Sequence, residues 1–167
     1  MSFVAAFTFS YPIMMIHAGI SGVRTMRIPN RIILLLLAGY LMAVSLVGMT
    51  LADVAWSLAA ATVVFVFGFI GFVCGWMGGG DVKLLTVAAL WLGAGNVAPF
   101  IFYTSIFGAV LTIIILIFRA VRLPASWRGQ EWIARLHHRD TGIPYGVAIA
   151  AAAVLVYFRT PWVAAQF

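Results

Sequence analysis

Six apolar stretches constrain this chain more than any single residue does. They run from Phe3 to Ile20, Ile32 to Met49, Val54 to Cys74, Leu84 to Leu92, Val97 to Phe118 and Pro144 to Phe158. Most approach the roughly 20 residues needed to cross hydrocarbon. The span from Leu84 to Phe118 is too long for one crossing, and Gly93-Ala94-Gly95-Asn96-Val97-Ala98-Pro99 supplies a break. In lipid the backbone must satisfy its own hydrogen bonds in helices or a closed barrel. These runs are too long and too uniform to be barrel strands. With 65% hydrophobic and 8% charged residues, the chain also has too little polar surface to cover a soluble globule. The expectation is an all-α, polytopic membrane protein of about six transmembrane helices, folded as a single domain over residues 1–167.

Charge sets the orientation. Arg24, Arg27 and Arg31 follow the first helix, and Arg119, Arg122, Arg128, Arg135 and Arg139 follow the fifth. The positive-inside rule makes both loops cytoplasmic. Two crossings separate Arg31 from the glycines at 78–80, and two more separate those glycines from Arg119. The loop at 78–81 therefore faces the cytoplasm, and both termini are expected outside, where Arg159 is the one basic residue. The formal charge of +6 is explained by lipid headgroups beside the spans, without nucleic acid. No Lys or Arg precedes Phe3 and no small-residue cleavage site follows the stretch, so the first segment is expected to be a mature helix rather than a signal peptide.

Four acids occur in the chain. Asp53 belongs to an outer turn, and Glu131 and Asp140 to the cytoplasmic loop. Asp81 differs: it follows Gly78, Gly79 and Gly80 at the mouth of a span, with Lys83, the single lysine, two positions on. A structural role is available to it as the N-cap of the fourth helix. Three consecutive glycines are costly in conformational entropy, and fit a place where another chain's backbone approaches or where φ is positive. Crossing parity puts Gly22 and Asp81, 59 positions apart, on the same membrane face.

Other residues have plainer expectations. Cys74 is the one cysteine, which excludes an internal disulfide, and a small core position suits it. No Cys-x-x-Cys pair exists, and the adjacent His137 and His138 would point about 100° apart on a helix, so neither a metal site nor a cofactor is expected. His17 within the first helix is read as a neutral imidazole bonded to a neighbouring helix, against the default functional reading of a buried ionisable group. Trp127 to Arg139 has an amphipathic pattern suited to the membrane surface, with Arg128, Glu131, Arg135, His138 and Arg139 on one stripe. Its plain role is anchoring to anionic lipid; the sharper one is recognition of a substrate. Gly68, Gly71 and Gly75 suit close packing of the third helix.

Three segments carry a family resemblance: Gly22-Val23-Arg24-Thr25-Met26-Arg27-Ile28-Pro29-Asn30, then Gly78-Gly79-Gly80-Asp81-Val82-Lys83-Leu84, then Ile143-Pro144-Tyr145-Gly146-Val147-Ala148. In order and spacing they resemble the prepilin peptidases of type IV and Flp/Tad pilus systems, intramembrane aspartyl proteases of the Gly-x-Gly-Asp type. The resemblance implies Asp81 as one catalytic carboxylate, with Gly78, Gly79, Gly80 and Lys83 where substrate backbone approaches. Ile28, Pro29 and Asn30, with Pro144, Tyr145 and Gly146, are the supporting motif. It also implies a prepilin substrate, cut at the cytoplasmic face of the bacterial inner membrane. The family's first segment begins with aspartate. Here Gly22 stands in its place, an inactivating replacement, introduced or natural. Such proteases need two aspartates sharing one proton, one to activate water and the other to protonate the scissile carbonyl. Bifunctional members add a cytoplasmic insertion, often with zinc-binding cysteines, and this chain resembles the shorter, peptidase-only branch. The alternatives are an archaeal preflagellin peptidase, or a small transporter or assembly protein using Asp81 to carry protons. A homodimer stays open.

Overall fold

The computed structural model describes residues 9–121, 124, 127, 129–139 and 141–164. Arg122, Arg128, Asp140 and the start of the first apolar stretch at Phe3 lie outside the described residues. The described chain is helical, with no strand among those residues. The helices are α1 (Ser10–Thr25), α2 (Asn30–Val47), α3 (Leu51–Val73), α4 (Gly79–Leu92), α5 (Ala94–Ala120), α6 (Glu131–His137), α7 (Gly146–Tyr157) and α8 (Pro161–Ala164). Three of them, α2, α3 and α5, are long and apolar enough to cross a membrane. At 1.5 Å per residue, the 14 residues of α4 reach only about 21 Å against a hydrocarbon thickness of about 30 Å.

Two helices shorter than the spans, α4 and α7, form the centre. Nearly every residue of α4 from Val82 to Leu92 is buried, and α7 buries most of its length from Gly146 to Tyr157. Around them α3 packs on α4, α1 and α5 pack on α7, and α2 touches α4 and α1. The outer helices turn apolar side chains outward: Leu41 is 68% exposed and Phe67 71%. A soluble fold buries such faces; one solvated by lipid has no need to.

Local sequence sets the joints. Thr50 and Asp53 form a reciprocal capping box at the start of α3, so Asp53 belongs to the first turn of that helix. Between α4 and α5 the expected seven-residue break shrinks to Gly93, whose φ of +74° reverses the chain in one step. Pro99 is accommodated inside α5. Gly68 is pressed on α4, where an added Cβ would lie 3.1 Å from Val82 Cγ1. Gly75 serves another purpose, a turn with φ of +75°. Cys74 is exposed at the end of α3 rather than in the core. His17 likewise sits on the exposed face of α1. The segment from Trp127 to Arg139 is shorter as a helix than its pattern suggests: among its described residues only Glu131–His137 is α-helical.

At the end of α4 remote from Asp81, an aromatic cluster fixes the helix. The Trp91 ring lies 4.8 Å from Tyr11, 5.9 Å from Tyr40 and 5.6 Å from Trp162. Trp91 Nε1 donates to the Leu36 carbonyl at 2.9 Å, and Trp162 Nε1 donates to the Trp91 carbonyl at 2.6 Å. Large rings with satisfied N–H groups give that end both buried area and direction.

Candidate active site

Asp81 is the third residue of α4, which starts from Gly78 in extended geometry. It is not the N-cap. Its carboxylate accepts hydrogen bonds from the backbone N–H of Gly78 and from that of Gly146, the first residue of α7. One side chain thus joins the amino ends of two helices. Those ends carry partial positive charge and favour the ionised form. Desolvation by burial opposes them and wins, pushing the Asp81 pKa from 3.8 to about 6. A carboxyl that gains and loses its proton so near neutrality suits proton exchange.

The glycines around Asp81 are explained by what they touch. An added Cβ on Gly78 would sit 3.2 Å from Asp81 Oδ2, and one on Gly79 would sit 3.4 Å from the Phe72 ring. On Gly80 it would meet Ile28 Cβ at 3.3 Å. On Gly146 it would meet Ile28 Cδ1 at 3.0 Å and Asp81 Oδ1 at 3.4 Å. None of Gly78, Gly79 and Gly80 takes a positive φ, so the conformational half of their expected role is replaced by close packing. Ile28 is a wedge between the starts of α4 and α7, and the missing side chains at 80 and 146 make its seat. Lys83 Nζ donates to Asn30 Oδ1 at 3.1 Å, tying α4 to the start of α2.

These groups surround an open cavity of about 460 Å³. Gly22, Ile28, Asn30, Gly78, Gly79, Gly80, Asp81, Lys83 and Pro144 all line it, so the three sequence segments meet at one place. Gly22 lies in the last full turn of α1, buried, and a Cβ built there would have nothing within 4 Å. The space in front of it has room for a side chain on the cavity that holds Asp81. Met26, with φ of +53°, ends α1 by donating its N–H to the Gly22 carbonyl at 2.9 Å.

Not every motif residue faces the cavity. Pro29 is the N-cap of α2, exposed and structural. Tyr145 turns away: its ring covers Gly108 of α5 and its hydroxyl lies 3.2 Å from Thr112 Oγ1. Gly146 acts through its N–H on Asp81. Three residues that sequence reasoning passed over hold the walls. Thr25 Oγ1 donates to the Ser21 carbonyl at 2.8 Å and lies 3.0 Å from the Arg27 carbonyl, while Ser21 Oγ donates to that same Arg27 carbonyl at 3.2 Å. Arg119, read only as a topology signal, donates from Nε to the Leu136 carbonyl at 2.9 Å. Its Nη2 donates to those of Thr141 and Gly142 at 2.6 and 3.2 Å. It thereby holds the strap leading into Pro144, and Gly142 lines the cavity. A charged residue that gathers three backbone carbonyls from a segment 17 to 23 positions away has no signature in linear sequence. His137 is used in the same region, with Nε2 2.9 Å from the Val121 carbonyl and its ring edge-on to Phe118. Among the described residues, no three His, Cys, Asp or Glu side chains gather to hold a metal ion.

The chain matches the model of the type IV leader peptidase family over residues 9–113. It is also similar to a prepilin leader peptidase/N-methyltransferase of Xanthomonas campestris pv. campestris, 34% identical over 83 residues, covering 49% of this chain and 23% of that relative. The chain thus spans about a quarter of that relative's length. No solved structure matches it. The matched region contains both Gly22 and Asp81, the two positions that share the cavity, and with more than half of its length matched by the family model the chain belongs to the type IV leader peptidase family.

Proposed function

We propose that the chain is a prepilin leader peptidase scaffold, an intramembrane aspartyl endopeptidase that works at the cytoplasmic face of the bacterial inner membrane and is inactive with glycine at position 22. The observation that carries the reading is the shared cavity, lined by both Asp81 and the unobstructed Gly22. In the active arrangement an aspartate at 22 would share a proton with Asp81. The ionised partner takes a proton from water, and the protonated one donates to the scissile carbonyl oxygen. Burial already raises the Asp81 pKa with glycine at 22, the Gly78 and Gly146 N–H groups bond its carboxylate, and in the pair the two apparent pKa values would belong to both aspartates together. With Asp81 alone, one half of that exchange has no partner, and general acid or base catalysis is worth about 10²–10⁴-fold in rate.

The proposed topology has six crossings with both termini outside. In it α1, α7 and the Leu84 to Leu92 part of α4 accompany the three longer spans, while Asp81 and the arginines after α1 and α5 lie on the cytoplasmic side. The substrate is a prepilin: a short basic leader in the cytoplasm, a cleavage point near the membrane surface, then an apolar helix. The test is cleavage of a prepilin by this chain and by Gly22→Asp in lipid. The expected result is a gain of at least about 100-fold on reversion. Equal, negligible rates in both, with the variant folded, would sink the two-carboxylate assignment.

A further inference from the structure

A second concavity lies along the outer seam between α1 and α7. Ile16, Ile20 and Val23 of α1 and Val147, Ala151 and Val154 of α7 form its sides, and its volume is about 330 Å³. Its floor is shallow in side chain, because Gly19 and Ala150 meet there: a Cβ on Gly19 would be 3.2 Å from Ala150 Cβ. The α1 residues recur at helical spacing, so the groove follows one stripe. Ile16 and Ile20 are 52% and 48% exposed, and at one end the groove shares Ile20 and Val23 with a neighbouring concavity lined by Arg24 and by Glu131, Trp132 and Arg135 of α6.

Where the groove leads selects its occupant. The two helices are antiparallel: Gly19 touches Val147 and Ala150, while Tyr11 stacks against Tyr157 at 4.8 Å. Beyond Val23 on α1 come Met26 and Arg27, and before Val147 on α7 come Pro144, Ile143 and Gly142. Those five residues line the Asp81 cavity. The residues that follow the groove on α1 and precede it on α7 therefore line the edge of the cavity. A membrane-embedded substrate must present an apolar helix to an apolar surface and its cleavage point to a carboxyl at once, and along this seam the linings of the two concavities lie within about one helical turn of chain, Val23 to Met26 and Val147 to Pro144.

We propose that the groove between α1 and α7 is the docking site for the membrane-spanning helix of the substrate, holding it so that the leader junction lies over Asp81. This rests on the peptidase reading above. Gly19, Ala150 and Ala151 admit close approach of the incoming helix, as small residues do between helices in lipid. Ile16, Ile20, Val147 and Val154 flank it.

The chain with Gly22 suits the test because its substrate stays uncut. The exposed Cys74 is replaced by serine, and single cysteines are introduced as Ile16→Cys or Ala151→Cys in the groove and Leu41→Cys or Phe67→Cys on α2 and α3. Each full-length protein is reconstituted in vesicles with a synthetic prepilin having a basic leader and an apolar helix of about 20 residues that carries one cysteine, and mild oxidation reads disulfide yield. The expected result is a yield at least fivefold higher at the two groove positions than at the two outer ones. Uniform yields would mean that lipid alone covers the groove, and Ala151→Cys pairing with a second copy despite excess prepilin would make the groove a dimer contact; either overturns the proposal. Cleavage by Gly22→Asp is measured in parallel. Cleavage without groove cross-links overturns the docking site alone, whereas groove cross-links without cleavage support docking and overturn the chemistry.

Discussion

Replacing Asp81 by asparagine isolates what the carboxyl costs the fold. In the native chain its pKa is about 6, against 3.8 unperturbed. The folded form therefore holds the proton more tightly than the unfolded one, so stability is greatest at low pH and falls as pH rises through 3.8 towards 6. Above 6 the loss is complete. At 1.36 kcal/mol per pKa unit, the full loss is about 3 kcal/mol, of which only a small part is incurred at pH 4. Asparagine keeps the side-chain shape and one acceptor for the Gly78 and Gly146 N–H groups but carries no charge. Its pH-independent cost, on the order of 1 kcal/mol for an imperfect hydrogen bond, cancels when the variant is compared with its parent at two pH values. Asp81→Asn is expected to gain about 2 kcal/mol on its parent between pH 4 and pH 8, or roughly 4–8 °C in Tm for a chain of this size. Thermal melts in detergent followed by tryptophan fluorescence read it directly. A variant-minus-parent difference that is constant with pH, or that moves in the parent's favour at pH 8, would refute a desolvated Asp81.

Two further predictions concern the frame. Arg119→Ala removes the donors to the carbonyls of Leu136, Thr141 and Gly142; it should cost about 1.5–3 kcal/mol and make the strap before Pro144 more open to limited proteolysis. Unchanged melting and digestion would remove the clamp from consideration. Trp91→Phe leaves most of the ring contacts but loses the bond from Nε1 to Leu36; an expected loss of about 1–3 kcal/mol, read by thermal melts, would be absent if the aromatic cluster held α4 by bulk alone.

Much of the site was legible because its parts are local patterns with nonlocal consequences. The lengths of the apolar runs made the chain helical, and parity of crossings put Gly22 and Asp81 at one end; the structure has them on one cavity. What stayed hidden depends on partners distant in sequence. Gly80 and Gly146 are bare because Ile28 occupies their space, a fact no glycine announces by itself. Tyr145 belongs to a motif yet serves α5, since Gly108 leaves it a seat. The reach of Gly93 was overestimated as a seven-residue break because composition counts Gly, Asn and Pro alike, whereas one positive φ completes the turn. Cys74 reads as core by residue type, but in lipid an outward position carries no penalty for a small apolar side chain.

The unobstructed space at Gly22 has an evolutionary reading. A position whose side chain would touch nothing contributes little to folding, and selection for a stable protein does not hold any residue there. Burying a second acid beside Asp81 would in fact be a burden on the fold, so stability alone favours its loss. Either aspartate codon becomes a glycine codon by a single base change. On the proposed reading, the lineage can shed its chemistry in one mutational step and keep every packing contact around the cavity, leaving a receptor for its former substrate. The way back is equally short, and only selection for cleavage would take it.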